Sequence, residues 1–111
     1  MQQLDVTKLN IKSFLRSSDK DGYISGEEMR RRAVELNGNR GLCDAKRLLD
    51  EQDKMPKAFR DFYIPLPGTL LRDRGGHLHV PCLLFDGGRW YLGFYWLGRD
   101  WRGDGRFACS E

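Results

Sequence analysis

Apolar positions recur at helical spacing in the first half of this chain and at every second residue in its last third. Met29, Ala33 and Leu36 stand at i, i+4 and i+7, the stripe of an amphipathic helix. Ser25 precedes the stripe as a cap, with Glu28 three residues on to complete a capping box. Asn37-Gly38 closes it. Glu27 to Arg31 and Glu28 to Arg32 add favourably oriented i,i+4 pairs. The spacing predicts a helix over residues 26–37. A second, over 44–53, starts at the cap Asp44, buries Ala45, Leu48 and Leu49, and must stop before Pro56. Pro56 can open a third, short helix over 56–63 that carries Phe59, Phe62 and Tyr63 on one face. Before all of these, Asp5 to Leu15 fits either period and is read only as a short amphipathic element.

Pro65 and Pro67-Gly68 break the chain, and strand alternation follows. Leu78, Val80, Cys82 and Leu84 line one side of a first strand, in which Pro81 marks an edge or a bulge. Asp86-Gly87-Gly88 is hairpin chemistry. The returning strand sets Trp90, Leu92, Phe94 and Trp96 on one face and Tyr91, Tyr95 and Leu97 on the other. Apolar on both faces, it reads as a central strand covered on both sides. Arg106 to Ser110 is the last strand. The expected fold is α+β: helices covering one face of an antiparallel sheet built from residues 69–110, in a single domain spanning 1–111.

Composition narrows the function classes. A chain of 111 residues with 40% hydrophobic and 32% charged residues can build a core without disulfides or metal. It has no apolar run of membrane-spanning length and no signal-peptide pattern. Cys43, Cys82 and Cys109 are odd in number and widely spaced, which points to reduced thiols in a cytoplasmic protein. The net charge of +3 permits an acidic partner without demanding one.

Ser17 to Glu28 is the stretch that reads two ways. Aligned on Gly22, an EF-hand-like calcium loop would draw on Ser17, Asp19, Asp21, the Tyr23 carbonyl, Ser25 and Glu28, with Ile24 as the apolar eighth residue. Serine at the first position removes a carboxylate that calcium prefers. The entering apolar residues are out of register, and the only paired loop, Asp100 to Glu111, carries Arg102 at a ligand position. A turn followed by a capped helix accounts for the same residues and is the preferred reading.

From about Tyr23 to Phe107 the chain resembles a group of small uncharacterised bacterial proteins. The resemblance rests on Lys20-Asp21-Gly22, Glu35-Leu36, Leu42-Cys43, an aromatic-rich hairpin over Asp73 to Leu97, Trp101 and Arg106-Phe107. It implies a helical N-terminal half followed by a strand-rich C-terminal half. It implies no calcium role, no cofactor and no site residue.

Candidate chemistry is sparse. His77 and His79 would point the same way from a strand, with no third metal ligand in view. Nucleophile-elbow, Cys-x-x-Cys and phosphate-loop patterns are missing. The unusual feature is aromatic residues interleaved with arginines: Arg89, Tyr91, Tyr95, Arg99, Trp101 and Arg102. Such a surface can stack unpaired bases and neutralise phosphates, and it can equally dock a protein. The expectation is a non-catalytic binding domain for a protein or single-stranded nucleic acid, with Trp90, Phe94 and Trp96 as the core face beneath the helices; the alternatives are a calcium-binding module at residues 17–28 and an enzyme of unrecognised type.

Overall fold

The computed structural model describes residues 6–109, apart from the side chain of Thr7. It is an α+β fold whose centre is the hairpin β5 (Leu78–Asp86) and β6 (Arg89–Trp96), the longest ladder in the molecule. Short strands β3 (Ile64–Pro65) and β4 (Leu71–Arg72) both pair with the other side of β5. Two further antiparallel pairs stand apart from this sheet. One joins β1 (Asn10–Ser13) to β8 (Arg106–Cys109), the other β2 (Tyr23–Ile24) to β7 (Trp101–Arg102). The sheet structure is therefore not confined to residues 69–110: segments at 10–13, 23–24 and 64–65 join it. The ambiguous N-terminal element resolves as a 3₁₀ turn, Val6–Lys8, followed by a strand.

Proline in the central strand β5 is accommodated by the parity of the ladder. Leu66 N donates to Pro81 O at 2.8 Å, so the carbonyl of Pro81, and with it the ring nitrogen, faces away from β6. It faces the gap between the end of β3 and the start of β4, where no ladder bond is lost. β5 is thus central and β6 is the edge, the reverse of the sequence expectation.

Helix α1 spans Gly26–Glu35. Ser25 Oγ accepts from Glu28 N at 3.2 Å, the first half of a capping box. The second half is missing, because the Glu28 carboxylate turns to Arg31 and Arg32. At the far end Asn37 takes φ 57°, and Gly38 N donates to Ala33 O at 2.8 Å in a Schellman closure.

Helix α2 spans Leu42–Asp50 with Gly41 at the cap, three residues before the expected Asp44. Asp44 is instead the third helical residue and accepts from Gly41 N at 3.0 Å. The free Leu42 N–H is met by Thr69 Oγ1 at 3.0 Å, a cap supplied from across the fold.

The third helix is absent as an α-helix. Lys57–Asp61 forms a 3₁₀ turn with Phe59 inward. Tyr63 N donates to Asp104 O at 3.2 Å and Tyr63 O accepts from Arg106 N at 2.9 Å. Those groups are committed to the segment at Asp104–Arg106 and cannot extend a helix.

The helices lie on opposite faces of the hairpin rather than on one. α2 packs Ala45 and Leu48 with Leu83, Trp90 and the inward Val6 and Ile64. α1 packs Met29 and Ala33 with Val80, Cys82, Trp101 and Phe107. A hairpin clad on both sides needs apolar residues on both faces, which is why β5 and β6 read as they do.

Candidate functional site

The side chains of β6 divide by parity, and so do its backbone groups. Because Pro81 points away from β6, its partner Phe94 belongs to a pair whose N–H and C=O groups point outward. By alternation Trp90, Leu92 and Trp96 point the same way. Two contacts confirm this parity. Trp90 N donates to Gln52 Oε1 at 2.9 Å, and Gln52 Nε2 donates to Trp90 O at 3.4 Å, so one side-chain amide copies a strand neighbour at that end. At the other end Arg99 N donates to Trp96 O at 3.2 Å. Between them the outward groups of Leu92 and Phe94, and the Trp96 N–H, have no partner among the described residues.

Exposed rings accompany this open edge. Phe94 is 48% and Trp96 53% exposed, on the face where Trp90 is buried and Leu92 is half-buried. The expected core trio of Trp90, Phe94 and Trp96 is therefore corrected. Only Trp90 is core, because the cluster built by α2, Val6, Met55 and Phe59 covers the strand as far as Leu92 and does not include Phe94 or Trp96. Gly98 lets the Trp96 ring lie over the following turn, where a Cβ would come within 2.6 Å of it. No charged side chain occurs from Trp90 to Gly98.

The six expected binding residues do not form one surface. Trp101 is fully buried, and its Nε1 donates to Leu97 O at 3.0 Å. That overturns its assignment as an exposed ring: β7 pairs with β2 and turns the indole into the α1-side core. Tyr95 is half-buried beside Tyr63, with ring centroids 5.4 Å apart, and Arg99 lies 4.1 Å over its ring. Arg102 lies 5.6 Å over Tyr23. Arg89 and Tyr91 are exposed at the hairpin end of β6. A base would meet one open ring here, Tyr91, with Tyr95 already covered by a guanidinium.

The Ser17 to Glu28 stretch forms a turn sealed by an arginine. Arg32, 6% exposed, donates from Nη1 to Phe14 O at 2.9 Å and to Asp19 Oδ2 at 2.7 Å. Its Nη2 reaches Asp19 Oδ1 at 3.1 Å and its Nε reaches Glu28 Oε2 at 2.7 Å. Arg31 holds Glu28 as well, at 2.6 Å. Two of the three carboxylates that would anchor calcium in the loop, Asp19 and Glu28, are thus paired with guanidinium groups. Asp19 is held down to a pKa of about 2, chiefly by the Arg32 hydrogen bond. Ser17, Asp21, Tyr23 and Ser25 are exposed around them. Among the described residues no group of three His, Cys, Asp or Glu side chains is placed to hold a metal ion.

His77 and His79 share one acidic neighbour. His79 Nε2 lies 2.9 Å from Asp73 Oδ2, and His77 Nδ1 lies 3.4 Å from Asp73 Oδ1. Asp73 also accepts the N–H groups of Gly75 and His77, both at 2.9 Å, so it organises the turn before β5. The His79 bond is the main reason its pKa falls to about 2. Trp96 borders this cluster in a shallow cleft.

Gln52 and the open groups at Leu92 and Phe94 escaped the sequence reading. The signal for a strand cap 38 residues away is not local, whereas the uncharged run beside it is visible in the sequence. Comparison of the chain with protein-family models, with curated proteins and with solved structures finds no match.

Proposed function

We propose that the protein is a small non-catalytic interaction domain that captures an extended segment of a partner protein along β6. The observation that carries this reading is the coincidence, on one strand, of outward backbone groups at Leu92 and Phe94 that have no partner among the described residues with the exposed rings of Phe94 and Trp96. An added strand satisfies the first through main-chain hydrogen bonds and covers the second with alternate side chains. Natural sheets shield such edges with lysine, proline or a covering segment. Here Gln52 shields only the Trp90 end. The three free cysteines fit a reducing, cytoplasmic setting for this role.

A panel of uncharged, β-branched hexapeptides, read by the change in tryptophan fluorescence that covering the exposed Trp96 produces, tests the reading. Binding should appear, and should be lost when alternate backbone amides of the peptide are N-methylated, since methylation removes the donors that strand addition requires. Binding that survives N-methylation, or no binding by any panel member, overturns strand capture. Salt-sensitive binding of mixed-sequence single-stranded oligonucleotides at low micromolar concentration would place the function at Arg89 and Tyr91 instead.

A further inference from the structure

The open edge has two defined ends and a midpoint. Gln52 closes it at Trp90 and the Arg99 N–H closes it at Trp96 O. The free stretch runs from Leu92 to Trp96, and its centre is Phe94. Resting on the strand-capture reading above, we infer that the segment that pairs with β6 is β6 of a second copy of this chain, antiparallel, with the two-fold axis at Phe94.

Parity makes that register self-consistent. With the axis at Phe94, Phe94 faces Phe94 of the second copy and Leu92 faces Trp96, all of them residues with outward groups. Phe94 N–H then donates to Phe94 O across the axis in both directions. Leu92 and Trp96 exchange N–H and C=O bonds on either side, the Trp96 carbonyl using the lone pair that Arg99 N leaves free. A one-residue slip would set inward groups against outward ones and forfeit the bonds. A two-residue slip toward Trp90 would drive the second strand into the Gln52 side chain. On the face of Trp90, the same register lays the exposed Phe94 rings side by side and each Trp96 over a Leu92.

Charge selects a second copy over a charged segment. Between Arg89 and Arg99 the strand offers no side chain that would recognise an acidic or a basic peptide, which favours an uncharged, extended occupant. The run Trp90 to Gly98 of another molecule meets that description. The chain carries a net charge of +3, so two copies repel until salt screens them. Salt should therefore strengthen this contact, opposite to its effect on nucleic-acid binding. A patch of five residues a side lies well below the ~800 Å² per partner of a standard stable interface. The dimer should form reversibly, over a range of about 10 µM to 1 mM, rather than be obligate.

Sedimentation velocity over that range tests the assignment. A concentration-dependent dimer is expected, stronger at 0.5 M than at 0.05 M salt by roughly threefold or more. Phe94→Lys should weaken it at least tenfold, while Val34→Lys, at an exposed position on α1, should leave it unchanged. Circular dichroism confirms that both variants fold. Register is read separately with Phe94→Cys in a Cys43→Ser background. Facing residues of a hydrogen-bonded antiparallel pair lie ~5.5 Å apart at Cα, within disulfide reach. Mild oxidation should give a covalent dimer with Phe94→Cys and not with Tyr91→Cys. A chain that stays monomeric to 1 mM, or a dimer indifferent to Phe94→Lys, overturns self-pairing. A monomer that still binds the panel peptides leaves strand capture standing and removes only the second copy as occupant. Failure of both experiments removes both.

Discussion

Replacing Gly26 by alanine should destabilise this protein, although local helix propensity says the opposite. Gly26 is the first residue of α1, where glycine costs up to about 1 kcal/mol relative to alanine. From sequence alone, Gly26→Ala is a stabilising change. In the fold, a Cβ at this position would run into the carbonyl oxygen of Leu97, and would lie 2.7 Å from Leu97 Cδ1 and 2.9 Å from its Cγ. Leucine can change rotamer, but a backbone oxygen cannot step aside without moving the end of β6. That same oxygen accepts the Trp101 Nε1–H bond at 3.0 Å in the core, so displacing it also strains a buried hydrogen bond. Overpacking of this kind costs about 1–3 kcal/mol, and a compromised buried hydrogen bond about 0.5–1.5 kcal/mol more. Set against the gain of up to ~1 kcal/mol, the expected net loss is about 2 kcal/mol, or a fall of roughly 8 °C in Tm for a domain of this size. Urea unfolding followed by tryptophan fluorescence measures it. A Gly26→Ala, Leu97→Ala double variant should not recover the Gly26→Ala loss, because Leu97→Ala removes the side chain and leaves the carbonyl. A Gly26→Ala protein as stable as the parent, or more so, would refute the close approach of α1 to the turn after β6.

Asp19 and Asp73 are held at about 2, below their usual range near 3.8, so their contribution to stability is present above about pH 4 and is lost as pH falls toward 2. Asp19→Asn should flatten the acid limb of a pH–stability curve over that window, and an unchanged limb would argue against the Arg32 pairing. Cys43 is exposed whereas Cys82 and Cys109 are buried, and burial raises both of their thiol pKa values. One equivalent of thiol reagent should react quickly in the native state and two more only in denaturant; three fast equivalents would contradict the core assignment. Ser25→Ala should cost about 1 kcal/mol through loss of the bond to Glu28 N, measured by the same urea series. Calorimetric titration should give no micromolar calcium isotherm. One that appears, and vanishes with Glu28→Gln, would show that the guanidinium groups release the loop carboxylates.

Local chemistry determined the elements of this protein where the chain itself supplies the partners. Ser25, the Met29–Ala33 stripe and Asn37-Gly38 set both ends and the buried face of α1, and Asp86-Gly87-Gly88 set the hairpin, because caps and turns are satisfied within a few residues. The start of α2 moved because Thr69, far along the chain, offers the hydroxyl that meets Leu42 N. Tyr63 left the helical path because Asp104 and Arg106 took its backbone groups. Alternation assigned each residue of β6 to a face but could not say how far the covering layer reached. Trp90 and Trp96 share a face in sequence, and only the reach of the layer packed over that face makes one core and the other surface. In the same way Trp101 looked like part of an exposed aromatic and arginine cluster until its pairing with β2 turned it inward. The candidate edge belongs wholly to the tertiary structure. Which strand lies at the margin of a sheet, and which of its backbone groups Gln52 reaches, depends on contacts between segments whose separation along the chain leaves no periodic trace.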